Sequence, residues 1–223
     1  MRLKHDMEHL VKAAEYYRDE LLDVRFRLII GKKCKLYHVT ISFVKEDFWH
    51  IVGNSIIDDI PQFKMNKSKL FDNIICRDEE MSRILSVHPK FNNQQYIDRR
   101  RDFLHLKDAL VSENAVFIII DGIRDSSIKS DFVLQCSLSD KQKYWIFLRD
   151  RSPRLNINVQ KEASCYAVIS AFTNNDKDYS KSQSKCTVLY KSIYSSKDNS
   201  EVVIEKSRSL KDEYITSSWI CWE

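Results

Sequence analysis

Apolar positions recur at helical spacing in the first half of the chain and gather into short runs in the second. Over residues 6–24, Leu10, Ala14, Tyr17, Leu21 and Val24 follow one another at steps of three and four, with Glu15, Arg18, Asp19 and Glu20 between them. That spacing predicts an amphipathic helix. Phe26 to Ile30 predicts a short strand ending at Gly31, and Tyr37, Val39, Ile41 and Phe43 alternate with His38, Thr40 and Ser42 as a half-buried strand does. Lys45 to Val52 predicts a short helix, with Gly53 placed to end it in the left-handed conformation. Two longer helical segments are expected over about 66–86 and 94–112.

After Asn114 the apolar runs are rich in β-branched and aromatic residues and broken by polar turns. Strands are predicted at 115–121, 130–138, 143–149, 165–172 and 185–193, separated by Asp121-Gly122, by Ser139-Asp140-Lys141 and by the polar tract Thr173 to Ser184. Helices first and strands after is an α+β pattern, with the N-terminal helices on one face of a single antiparallel sheet. The tail from Asp198 is less regular, although Ile215, Trp219 and Trp222 would pack it down. The expected division is a helix-and-strand extension over 1–35, an α+β domain over 36–193 and a packed tail over 194–223.

The length of 223 residues and a 43% hydrophobic fraction are those of one folded domain. Neither a GxxxxGK[ST] loop nor a GxGxxG turn is present among only 3 Gly, so ATP-dependent chemistry is not expected. The longest apolar run, Ala115 to Ile120, is far too short to cross a bilayer. Cys34, Cys76, Cys136, Cys165, Cys186 and Cys221 show no CxxC or CxxH spacing, which disfavours a zinc site. No signal peptide precedes them, and the expected setting is a reducing cytoplasm.

The net charge of +4 identifies no partner, but its distribution is uneven. Acidic groups cluster at Asp58-Asp59 and Asp78-Glu79-Glu80. Lys141, Lys143, Arg149, Arg151, Arg154 and Lys161 form a basic stretch, and Arg25, Arg27, Lys32, Lys33 and Lys35 form a second. These are either solvated faces or a surface that tracks phosphates.

Three segments in series carry a resemblance: Phe48-Trp49-His50-Ile51-Val52-Gly53, Tyr144-Trp145-Ile146-Phe147-Leu148-Arg149, and Asp178-Tyr179-Ser180-Lys181-Ser182-Gln183 running on to Thr187-Val188-Leu189. Over residues 36–193 the chain resembles a phage-associated branch of the Barnase/EndoU/colicin/RelE-like nucleases. The resemblance implies N-terminal helices on a curved antiparallel sheet that carries an RNA site. It also implies ribonuclease activity, often as a toxin, without a metal or other cofactor. Where that family tends to have a glycine before the glutamine, this chain has Ser182.

Cleaving RNA through its own 2′-hydroxyl requires proton transfer and donors for the charge that grows on phosphorus. Imidazole, ammonium, guanidinium, hydroxyl and amide groups suffice. His50 suits the proton transfer, since Phe48 and Val52 anchor its helix and helical geometry turns His50 away from them; it is alternatively an ordinary surface histidine. Lys181 would supply charge, Gln183 a directional donor and Thr187 a hydroxyl on the sheet face, with Tyr179 and Ser182 completing a phosphate grip. The same tract also reads as a plain polar loop. Arg149 and Arg151 are candidate phosphate clamps, and Arg149 is alternatively a surface ion-pair partner of Asp150 or Asp131.

Two rival readings stay open. One is a magnesium-dependent nuclease using Asp121 and Asp131, although Asp-Gly is also an ordinary turn dipeptide. The other is a non-catalytic module that binds nucleic acid or protein. A ribonuclease inside a cell would need restraint, so an inhibitor or antitoxin protein is an expected partner beside RNA.

Overall fold

The computed structural model describes residues 2–57, 60–64, 66–124, 126–138, 142–151 and 164–216. Asp58-Asp59, the Ser139-Asp140-Lys141 turn, Arg154 and Lys161 of the basic stretch, Trp219, Cys221 and Trp222 lie outside the described residues.

Helix α1 (Arg2–Glu20) opens the chain, and its buried stripe is Leu10, Val11, Ala13, Ala14 and Tyr17. Strands β1 (Val24–Lys32) and β2 (Lys35–Ile41) form a hairpin, followed by α2 (Lys45–Ile51). The two longer helical segments expected from the sequence are each split. The first becomes α3 (Lys67–Ile75) and α4 (Glu79–Val87), because Arg77 takes a φ of +55° and Asp78 starts a new helix by accepting the Met81 N–H at 2.8 Å. The second becomes α5 (Gln94–Asp102) and, after a 3₁₀ turn, α6 (Leu106–Val111).

Strands β3 (Ala115–Ile118), β4 (Phe132–Ser137), β5 (Lys143–Asp150), β6 (Ser164–Thr173) and β7 (Ser184–Ser195) match the five strands predicted. The tail supplies an eighth, β8 (Ser200–Lys206), before the short α7 (Glu213–Thr216). Its alternation was illegible because Val202 and Val203 stand exposed.

The α+β class holds and β3 to β7 pair antiparallel, but the sheet as a whole is closed and mixed where a curved antiparallel sheet was expected. The strand order β1-β2-β6-β5-β4-β3-β7 closes on itself through β7–β1 pairing, with β8 added to β7, and β2–β6 is parallel. The antiparallel reading followed from hairpin neighbours in the second half. The N-terminal hairpin enters the sheet between β7 and β6, and its direction is set by long connections that no local pattern encodes. Closure pairs β1 with β7, so neither of these is left as a free edge.

One core fills the barrel and continues into the helices. Tyr17 sits at its centre, 5.4–5.8 Å from the rings of Phe48, Phe43 and Phe71, and donates its hydroxyl proton to the Val44 carbonyl at 2.8 Å. A second cluster, Phe117, Ile123, Val133, Trp145, Phe147 and Tyr179, lies on the outer face. The strand Tyr144–Leu148 is thus buried on both faces, which accounts for its unbroken apolar run.

Candidate active site

The parallel junction of β2 and β6 is short, involving only Val39↔Ser164, Thr40↔Cys165 and Ile41↔Tyr166. Beyond Tyr166, β6 continues to Thr173 with no strand on that edge among the described residues, and α2 and α5 cover it instead. At one end of α2, Arg151 pairs with Asp47 and donates to the Ser42 carbonyl. Burial pushes the Asp47 carboxyl above its ordinary value even with Arg151 beside it, so the pair positions α2 more than it stabilises the fold.

The other end of α2 carries His50. Phe48, Trp49, Ile51 and Val52 are buried while His50 is exposed. The helix stops as expected, with Gly53 at φ +81° donating its N–H to the His50 carbonyl at 3.0 Å.

Helix α5 is pinned to the same strand edge. Asp102 accepts from the Thr173 N–H at 2.9 Å and from the Thr173 hydroxyl. One turn earlier, Arg99 donates through Nε to the Ile51 carbonyl at 3.2 Å and through Nη2 to Ser170 Oγ. Ser170 and Phe172 face outward with their register partners Phe147 and Trp145. Arg99 therefore reaches round the open edge of β6 from the helical side, and its guanidinium carbon lies 5.4 Å from the Phe172 ring centre. Tyr179 meets that ring from the other side at 5.8 Å. Arg99, Tyr96, Ser170 and Phe172 went unnoticed in the sequence. The run of three arginines at 99–101 was the only signal, and nothing local separates Arg99 from the buried Arg100, which bonds the Phe91 carbonyl and Asn54.

The residues proposed from sequence fall into two groups. Tyr179 reaches this edge through Phe172, while His50 lies exposed on α2, next in sequence to the Ile51 whose carbonyl accepts from Arg99. Lys181 and Ser182 are exposed in the loop that Tyr179 anchors. Asp178 stiffens that loop by accepting from Ser180 N at 2.9 Å and Ser180 Oγ at 2.5 Å, which holds its carboxyl below the usual value. Ser182 takes a φ of +67°, so the missing glycine is replaced by a serine in a glycine conformation.

The others are engaged elsewhere. Gln183 accepts from the Ile120 N–H at 3.3 Å and donates to the Gly122 carbonyl at 2.9 Å. Arg149 donates through Nε to the Lys129 carbonyl at 2.7 Å. Thr187 pairs with Gly31 in the β1 register and lines a separate groove with Ser112, Glu113 and Glu205. Asp131 accepts the Asp150 N–H at 2.7 Å, while Asp121 is exposed beside Gly122.

The fold is a helix-capped, closed mixed barrel in which Arg99, Ser170 and the rings of Phe172 and Tyr179 gather where α5 meets β6. Among the described residues no helix is long and apolar enough to cross a membrane. The chain belongs to the phage-Barnase-EndoU-ColicinE5/D-RelE like nuclease 4 family, whose model matches residues 9–208. No curated protein and no solved structure matches it. The family is one of nucleases, so nucleic acid is the substrate class the site has to accommodate.

Proposed function

We propose that this protein is a metal-independent endoribonuclease acting as a toxin or phage-related effector. In this reading the 2′-oxygen of RNA bonds to phosphorus as the 5′-oxygen leaves. One proton comes off the 2′-hydroxyl, one is delivered to the 5′-oxygen, and His50 serves one of these transfers. The observation that carries the reading is the exposed imidazole of His50 on α2, a helix whose neighbouring side chains are buried and which packs against β6.

Lys181 adds positive charge from the adjoining loop, and Tyr179 anchors that loop on the outer aromatic cluster. Gln183 supports the site by tying the loop to the 120–122 turn, since both ends of its amide are occupied there. A protein that restrains the activity is the expected partner.

Purified protein incubated with total cellular RNA in excess EDTA tests the reading. Cleavage that persists and leaves 2′,3′-cyclic phosphate or 3′-phosphate ends supports it. Ends bearing 3′-hydroxyls, or activity that returns only with magnesium, would replace it with metal-dependent cleavage.

A further inference from the structure

Among the described residues, the guanidinium of Arg99 carries an unused donor. It is half-buried between α2, α5 and β6, yet among the described residues no carboxylate pairs with it. Its neighbours are neutral: the Ile51 carbonyl, the Ser170 hydroxyl and the Phe172 ring. Nη1 has no hydrogen-bond partner among the described residues, although it belongs to a group that carries five donors. Removing a cation from water without a counter-ion is costly, and burial pulls the Arg99 pKa below its ordinary value.

The surroundings commit space to this arrangement. A Cβ at Gly53 would fall 2.9 Å from Arg99 Cδ and 3.2 Å from Tyr96 Cδ1, so only glycine lets the arginine lie across the end of α2. Two of its nitrogens are fixed, which aims the rest of the fork, and that fork is the shape that matches phosphate oxygens. A structural staple would need only the two bonds already made.

We propose that Arg99 is the phosphate-holding residue of the site: its Nη1, which no described residue engages, takes an internal phosphodiester of a nucleic-acid strand at the junction of α2, α5 and β6. The proposal rests on the nuclease reading above for the identity of the strand, and on the uncompensated guanidinium for its place. The bound anion supplies the counter-charge that the fold withholds, at the end of the helix that carries His50.

Binding of a fluorescein-labelled 2′-O-methyl oligoribonucleotide, which cannot be cleaved, should be followed by anisotropy across a salt series. Arg99→Gln keeps an N–H donor at the position of Nε for the Ile51 carbonyl and removes the charge. It should lose affinity by about tenfold or more, as expected for a hydrogen bond to a charged group. The slope of log K against log salt should fall by about 0.7, the value for one phosphate contact on a single strand. A purely structural residue would not move that slope. Arg101→Gln, an exposed neighbour on the same helix, should change affinity far less.

Unchanged affinity and slope in folded Arg99→Gln would overturn the proposal, as would equal losses in Arg99→Gln and Arg101→Gln. Should Arg99→Gln not fold, the wild-type protein still decides. Inorganic phosphate should raise its melting temperature above that in chloride of equal ionic strength and displace the oligonucleotide, since ligand binding to the native state stabilises it; no such effect overturns the assignment. Arg99-dependent binding without any RNA cleavage would sustain this inference while the nuclease reading failed. Cleavage and binding both indifferent to Arg99→Gln would do the reverse.

Discussion

Gly53 lies directly beneath Arg99, with a φ of +81° and too little room for even one methyl group before the arginine stem. The residue that ends α2 therefore also sets the path of the guanidinium from α5 to Ser170. Gly53→Ala should cost about 1–3 kcal/mol in stability, because it places a side chain in the left-handed region and against Arg99. Urea unfolding measures that loss. Oligonucleotide binding by the folded fraction should weaken as well, and a variant as stable as wild type would show that Arg99 has another route.

Replacing His50 separates chemistry from architecture. His50→Ala should lower RNA cleavage by about 10²–10⁴-fold, the usual contribution of a positioned proton-transfer group. Melting temperature and oligonucleotide affinity should stay near wild type, because the side chain is exposed and packs into no core cluster. Wild-type turnover in the folded variant would remove His50 from the mechanism.

Ser182 holds a conformation that costs an L-residue roughly 1–2 kcal/mol, against roughly 0.5–1 kcal/mol of extra chain entropy for glycine. Ser182→Gly should therefore raise stability by on the order of 0.5–1 kcal/mol, seen as a higher urea midpoint with unchanged slope. A fall in stability would mean that the hydroxyl makes a contribution beyond backbone geometry.

Gln183 and Lys181 should respond in opposite ways. Gln183→Ala removes two hydrogen bonds to the 120–122 turn and should lower stability by about 1–2 kcal/mol, with little change in oligonucleotide affinity once folded. Lys181→Ala should leave the melt unchanged and weaken binding most at low salt, since its charge is exposed and screened.

His38 makes stability depend on pH. Half-buried on β2 opposite Ile29, it is pushed below its ordinary value of 6.5 by burial. The folded state thus binds this proton less readily than the unfolded chain does. Its contribution to stability is complete above pH 6.5 and declines as pH falls through the lower folded value. Unfolding curves measured on both sides of pH 6.5 should show the decline, and His38→Gln should flatten it.

Much of the architecture was determined by the sequence alone. The stripe Leu10, Ala14, Tyr17 and Leu21, the alternation around Val39, and the doubly buried run Tyr144–Leu148 each depend on spacing within one element, so they are legible one window at a time. The end of α2 at Gly53 and the family resemblance were equally local. Only the tertiary structure decided that the sheet closes into a ring, that β2 joins β6 in parallel for three residues, and that β6 is left with an open edge. It alone made Gln183 a tether, moved Thr187 to another groove and singled out Arg99 from Arg100 and Arg101. Each of these outcomes depends on contacts between residues far apart in the chain, such as Arg99 with Ile51 and Ser170. A guanidinium becomes a phosphate site through the counter-charge it lacks in space, and that absence has no signature in the residues beside it in sequence.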